Sequence, residues 1–126
     1  MGGDAMIEGR PSRDGNAVSS RERRHFPRLQ IAVQIELRAK DDPVPIRSNT
    51  ADISVGGCYV EMAVTLDPGT AVDIILWLDN EKLPLEGRVV TRHPHFGNGI
   101  EFVDLTPESE ARLRTFLKNA EGSRTT

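Results

Sequence analysis

The chain has 126 residues, enough for one domain of ordinary size and too few for two full cores. Lys and Arg number 16 against 19 Asp and Glu, a formal charge of -3 that argues against a general binder of DNA or RNA. Apolar residues are 37% and charged residues 28%, so the chain is globular in class but polar enough for part of it to lie outside the core. No apolar run approaches membrane-spanning length, and the N-terminus MGGDAMIEGRPSRDG lacks the apolar stretch of a signal peptide. The expectation is a soluble cytoplasmic protein without membrane insertion. One cysteine, Cys58, excludes an internal disulfide and a multi-thiolate zinc site within the chain.

Residues 1–20 are rich in Gly, Ser, Arg and Asp and read as a disordered lead; 21–119 read as the folded domain and 120–126 as a tail. From Leu29 the pattern is strict period two. Ile31, Val33, Ile35 and Leu37 face one way and Gln30, Gln34, Glu36 and Arg38 the other, which predicts a half-buried strand. Asp41-Asp42-Pro43 predicts a turn into a second extended stretch, Ile46 to Ile53, which ends at Ser54-Val55-Gly56-Gly57. Cys58 to Met62 resumes as a strand. After the turn Asp67-Pro68-Gly69, Val72, Ile74, Leu76 and Leu78 share one face, opposite Ile75 and Trp77, with Trp77 expected to pack under the C-terminal helix. Asp79-Asn80 leads into Leu83 to Arg92, a loop covers His93 to Gly99, and Ile100 to Val103 is a short last strand. Six strands with short turns predict an all-β, antiparallel sheet that curls or closes into a barrel. At the C-terminus Thr106 is an N-cap before Pro107 at the first helical position, with Glu108 and Glu110 in the first turn. Leu113, Phe116 and Leu117 make one apolar stripe able to cover an open barrel end, and Glu110 and Arg114 form an i, i+4 pair.

Charge is uneven along the chain. Residues 1–28 hold six Arg against four acids, whereas 29–126 hold ten bases against fifteen acids; the octet Arg21 to Arg28 alone carries +3. That octet contains Arg24-x-x-x-Arg28, preceded by Arg23. A spacing match of this kind is weak by itself, since Arg88-x-x-x-Arg92 is a second one. Much rarer is Asp52-x-Ser54-x-x-Gly57, which falls at a predicted strand end. Each pattern alone reads as ordinary structure: a solvated basic arm, and a tight turn whose side chains bond local backbone. Found together and in this order, the arginine cluster before the first strand and the Asp-Ser-Gly turn between the second and third, they resemble the signature of the PilZ domain family. The resemblance extends over Arg21 to Leu117, with Gly99-Ile100-Glu101-Phe102 similar to that family's closing strand.

The resemblance implies a six-stranded antiparallel β-barrel with a C-terminal helix and a flexible N-terminal arm. It implies binding of the bacterial second messenger cyclic di-GMP on the barrel's outer surface, with no catalysis, no cofactor and no metal. The ligand-binding residues it implies are Arg23, Arg24, Arg28, Asp52, Ser54 and Gly57. Their chemistry fits. Cyclic di-GMP offers two phosphodiester anions, guanine O6 and N7 acceptors, and guanine N1–H and N2–H donors. Arginine answers phosphate and the acceptor edge with its planar fork, and its flat face stacks on a purine. The expected roles are Arg24 and Arg28 on phosphate and guanine edge, Arg23 stacking, Asp52 reading the guanine donor edge, Ser54 adding a bond to a base or a phosphate, and Gly57 letting backbone approach without a Cβ. The extra Arg23 favours a stacked pair of ligands over one. Ligand binding would order the arm and signal to an unidentified downstream protein, or to a partner subunit in a homodimer. The alternative reading is a PilZ-like protein-interaction module that does not bind the nucleotide. His25, His93 and His95 read as exposed loop residues, Cys58 as a small buried hydrophobe, and Arg88 and Arg92 as a solvent-facing stripe.

Overall fold

The alternation that starts at Leu29 becomes one wall of a closed barrel. In the computed structural model, which describes residues 27–125, the strands are β1 (Gln34–Ala39), β2 (Ile46–Ile53), β3 (Gly57–Glu61), β4 (Ala71–Leu78), β5 (Glu81–His93) and β6 (Gly97–Val103), followed by helix α1 (Pro107–Thr125). Every neighbouring pair is antiparallel, in the closed order β1-β2-β3-β6-β5-β4. Closure removes the unpaired edges that an open six-stranded sheet would expose. Inward positions are predominantly apolar, Thr50 and Asn98 being the polar exceptions: Ile35 and Leu37, Ile53, Cys58 and Val60, Val72, Ile74 and Leu76, Leu83 and Val89, Ile100 and Phe102 are all buried. The two faces of each strand are thus sorted by the period-two pattern itself.

The antiparallel pairings divide the barrel into two ends. One end holds the β2–β3 turn, the β4–β5 hairpin and α1; the other holds the β1–β2 hairpin, the β5–β6 hairpin and the 62–70 connection. That connection joins strands on opposite sides of the barrel and crosses its far end. Asn98 pins it from inside. The side chain is fully buried, its Oδ1 accepting from Leu66 N (2.8 Å) and its Nδ2 donating to the carbonyls of Leu66 (2.9 Å) and Thr91 (3.1 Å). A buried amide with its hydrogen-bonding groups matched fixes the loop instead of destabilising the core. Arg92 adds bonds from outside, to Thr65 Oγ1 (2.8 Å) and Asp67 Oδ1 (3.0 Å), so it belongs to the loop and not to a solvent stripe with Arg88. The loop expected from His93 to Gly99 shrinks to 94–96, because β5 and β6 stay paired as far as His93 and Gly97.

At the near end, Thr106 caps α1: its Oγ1 accepts from Ser109 N at 3.0 Å, and the acids of the first turn face the positive end of the helix dipole. Leu113 and Leu117 are buried in the barrel core and Phe116 and Ala120 pack against it. Arg112 reaches Lys82 O (3.3 Å) and Glu81 (3.6 Å) on the β4–β5 hairpin, whose two-residue turn holds Asp79 and Asn80 at positive φ (51° and 72°). The helix runs past residue 119, where a tail was expected; a glycine such as Gly122 costs a helix only about 1 kcal/mol. Trp77 does not pack under α1. It sits half-buried on the outer face of β4, paired in register with Lys82, whose Nζ lies 6.0 Å from the ring centroid. Among the described residues no helix is long and apolar enough to cross a membrane.

Candidate functional site

The strand expected to begin at Leu29 takes up regular pairing only at Gln34, and the segment before it is held differently. Thr50, buried on β2, donates through Oγ1 to Ile31 O (2.8 Å) and accepts from Val33 N (2.9 Å). Leu29 and Ile53 then exchange both backbone bonds, at 2.9 and 3.0 Å. Since Leu29 and Ile53 point into the core, their chain neighbours Arg28 and Asp52 point out, diagonal to one another across the bridge. An arginine spans that diagonal. Arg28 Nε and Nη2 both donate to Asp52 Oδ1, at 3.0 and 2.7 Å, with about a third of each side chain still exposed to solvent (36% and 30%). Residues 24 apart in sequence, one from each half of the signature, meet in one charge-assisted contact.

Ser54 has a different place from the one expected of it. It is buried, its Oγ donates to Gly57 O (3.3 Å) and accepts from Gly56 N (3.1 Å), and its own N–H donates to Gly57 O at 2.8 Å. The hydroxyl is engaged inside the turn, so Ser54 shapes the loop that carries Gly56 and Gly57. Gly57 is required by backbone as much as by any ligand: a Cβ there would fall 2.2 Å from Ile100 O on β6. Arg23 and Arg24, with the rest of 1–26, lie outside the described residues.

Beside the Arg28–Asp52 pair runs an open groove of about 660 Å³, in the size range of small-molecule sites. Its floor is the outer face of β6. Gly99 lies between Tyr59 on β3 and Thr91 on β5, and Glu101 lies between Gly57 and Arg88. Val90 faces out by alternation from the buried Val89, and a bulge in the β5–β6 register between Val89 and Thr91 sets Thr91 outward beside it, opposite Gly99. At Gly99 a Cβ would meet Thr91 Oγ1 at 2.2 Å, so this stretch of floor is bare backbone. Tyr59 forms one wall and is braced by His93, with 3.0 Å from Tyr59 Oη to His93 Nδ1 and the rings tilted 48° at 5.7 Å. His93 therefore belongs to a strand end and a ring pair, not to a free loop. Glu110 of α1 closes the motif end, itself bonded to Arg114 Nε at 2.9 Å.

Charge in the groove is lopsided. Among the described residues lining it, Arg28 is the one cation, against Asp52, Glu101 and Glu110. Cys58 lies under the floor, wholly buried; burial pushes its thiol up to about 12, with the Arg28 guanidinium opposing only in part. It is a core residue, as its sequence context predicts, with almost no thiolate at neutral pH. Of the groove residues, Tyr59, Val90 and Thr91 carry no motif, and Glu101 reads from the sequence only as part of the closing strand, with no role at the site. Only the register, which sets Tyr59 against Gly99 and Gly57 against Glu101, reveals them.

Comparison with known proteins agrees with this architecture. The crystal structure of a PilZ domain of CeSA from a cellulose-synthesizing bacterium is similar at 24% identity and a TM-score of 0.63, covering 75% of this chain and 98% of that one. YcgR from Escherichia coli in complex with c-di-GMP is similar at 17% identity and a TM-score of 0.69, covering 82% of this chain and 48% of that one. The PilZ domain of YcgR with c-di-GMP gives 14% identity and a TM-score of 0.64, with 98% of that domain covered. The chain thus spans about half the length of full YcgR, and likewise 52% of the motility inhibitor MotI/DgrA of Bacillus subtilis. No curated protein matches. The sequence model of the PilZ domain matches residues 22–119, most of the chain, and the protein belongs to the PilZ domain family.

Proposed function

We propose that this PilZ domain is a receptor for cyclic di-GMP and that it signals to a partner protein by a change in the position of its N-terminal arm. The observation that carries the reading is the Arg28–Asp52 contact, which joins both halves of the signature at the mouth of a nucleotide-sized groove. Similar structures of YcgR and of the Borreliella burgdorferi PlzA protein hold c-di-GMP. Arg28 is pre-oriented by Asp52 with its remaining N–H groups available to phosphate or to guanine O6 and N7. One cation does not balance two phosphodiesters, least of all in a groove with three carboxylates. The arm supplies the rest: Arg23 and Arg24 are within five residues of Arg28, and the octet they belong to carries +3.

Coupling to a partner follows from where the arm is rooted. Pro27 and Leu29 flank Arg28 and also line a second groove, about 400 Å³, against Leu117 and Lys118 of α1. A ligand that draws the arm across the β3–β6–β5 face changes the surface beside the helix as well. The readout is then a binding surface for another protein or a second copy of the chain, without catalysis.

Isothermal titration of cyclic di-GMP against the wild type, Arg24→Ala, Arg28→Ala and Asp52→Ala tests the proposal. Micromolar binding by the wild type and loss of at least tenfold in each variant are expected, with affinity falling as salt rises. A wild-type chain that gives no heat at micromolar ligand overturns it.

A further inference from the structure

The groove holds a carboxylate that neither half of the signature explains. Glu101 projects outward from β6, between the inward-facing Ile100 and Phe102, and is exposed. It has no hydrogen-bond or ion partner among the described residues, although Arg88 is its register neighbour on β5. The position opposite it on β3 is Gly57 and the one before it on the same face is Gly99, so the carboxylate stands at the end of a strip of bare backbone. Asp52, by contrast, already takes two Arg28 hydrogens on Oδ1.

A free carboxylate beside a site for a dianion is repulsive unless it meets hydrogen-bond donors. On cyclic di-GMP the paired donors are guanine N1–H and N2–H, spaced to match the two oxygens of one carboxylate. Adenine has an acceptor at N1 and cannot offer that pair. Resting on the cyclic di-GMP reading, we infer that Glu101 is a specificity-determining residue of this chain, accepting from N1–H and N2–H of a guanine lodged over Gly99 between Tyr59 and Thr91. Asp52 orients Arg28 through Oδ1. The two carboxylates divide the work, one positioning the cation and one reading the base.

The test pairs Glu101→Gln with cyclic di-GMP and cyclic di-IMP, which lacks only the 2-amino groups. Glutamine keeps the shape but offers one acceptor, and its removal of negative charge would favour a dianion. The wild type should prefer cyclic di-GMP over cyclic di-IMP by about tenfold, and Glu101→Gln should weaken cyclic di-GMP by about tenfold and shrink the preference to near unity. Unchanged or tighter binding of cyclic di-GMP by Glu101→Gln overturns the inference and marks the carboxylate as a bystander. Weaker binding with the base preference intact also overturns it, since Glu101 would then act on the arm's arginines and not on guanine. Failure of the wild type to bind cyclic di-GMP at all is a different result, and it removes the receptor reading itself. A melting temperature for Glu101→Gln within about 2 °C of wild type keeps the comparison to folded protein, as expected for an exposed side chain.

Discussion

Two outer faces of the same barrel are built in opposite ways. On the β1–β4 side the outward residues satisfy one another: Asp73 accepts from Arg38 (3.2 Å) and pairs with Lys40 (3.1 Å), Lys40 lies 3.9 Å from Glu86, and Arg47 pairs with Glu36 at 3.1 Å. On the β3–β6–β5 side two facing strands give up side chains at Gly57 and Gly99, and Glu101 is left without a partner among the described residues. The inward halves of both sides are the same apolar wall. A strand with period two can keep its core face constant and vary its outer face freely, so a binding site can be carved into the barrel without cost to the core. Exposed ion pairs add little stability, but they leave no unmatched charge for a ligand to meet.

The largest effect should come from closing the carved face at its tightest point. Gly57→Ala sets a methyl against the Ile100 carbonyl, which is backbone and cannot swing away, and should destabilise the fold by about 2–3 kcal/mol in urea denaturation. A loss below about 0.5 kcal/mol would mean the strands separate easily there. Next is Arg28→Lys. It should leave stability nearly unchanged yet weaken cyclic di-GMP by about thirtyfold, near 2 kcal/mol, because an ammonium cannot hold Asp52 and present a planar fork together. Retained affinity by calorimetry would show that Arg28 acts only as a charge.

Gly99→Ala should be milder for the fold, about 1 kcal/mol, since the clashing atom is the Thr91 hydroxyl and a rotamer change relieves it. Its ligand affinity should still drop about tenfold, the floor being raised by a methyl; equal affinity would place the base elsewhere. The smallest effect belongs to the self-satisfied face. Hydrogen bonds from Lys40 and then Arg38 hold the Asp73 carboxyl below the usual range and raise Lys40 in turn. A depressed carboxylate stabilises the fold above its unfolded pKa, and that contribution fades as pH falls through the folded value. Asp73→Asn should therefore lower the melting temperature at pH 7 by no more than about 2 °C and leave ligand binding untouched, with the difference vanishing in acid and in high salt.

Much of this was legible before any coordinate. The doubled glycines, the Asp79-Asn80 turn and the Thr106-Pro107 cap are local signals, each governed by the torsions and hydrogen bonds of a few neighbouring residues, and each reappears in place; the burial alternation from Leu29 reappears too, although the paired strand begins only at Gln34. The inward sets of β1 and β4 were also readable, because burial follows parity. Less legible were Ser54, Trp77 and Asn98. Whether a hydroxyl faces ligand or turn, whether an indole meets a helix or a lysine, and whether an asparagine is loop or core depends on which strand lies next to it. Two one-residue irregularities mattered as well. The register shifts near Thr50 and Val89 change which side chains face out, and no periodicity announces them.

By itself the sequence determined six antiparallel strands, a C-terminal helix and a signature whose two halves lie 24 residues apart, since these depend on period, turn chemistry and residue type; that the sheet closes into a barrel was implied by the family resemblance. Tertiary structure alone decided that Arg28 and Asp52 touch, that Ser54 turns inward, and that Tyr59, Thr91, Gly99 and Glu101 share a groove. Contact across strands is set by register and closure, and those are fixed only when every strand has found its neighbour.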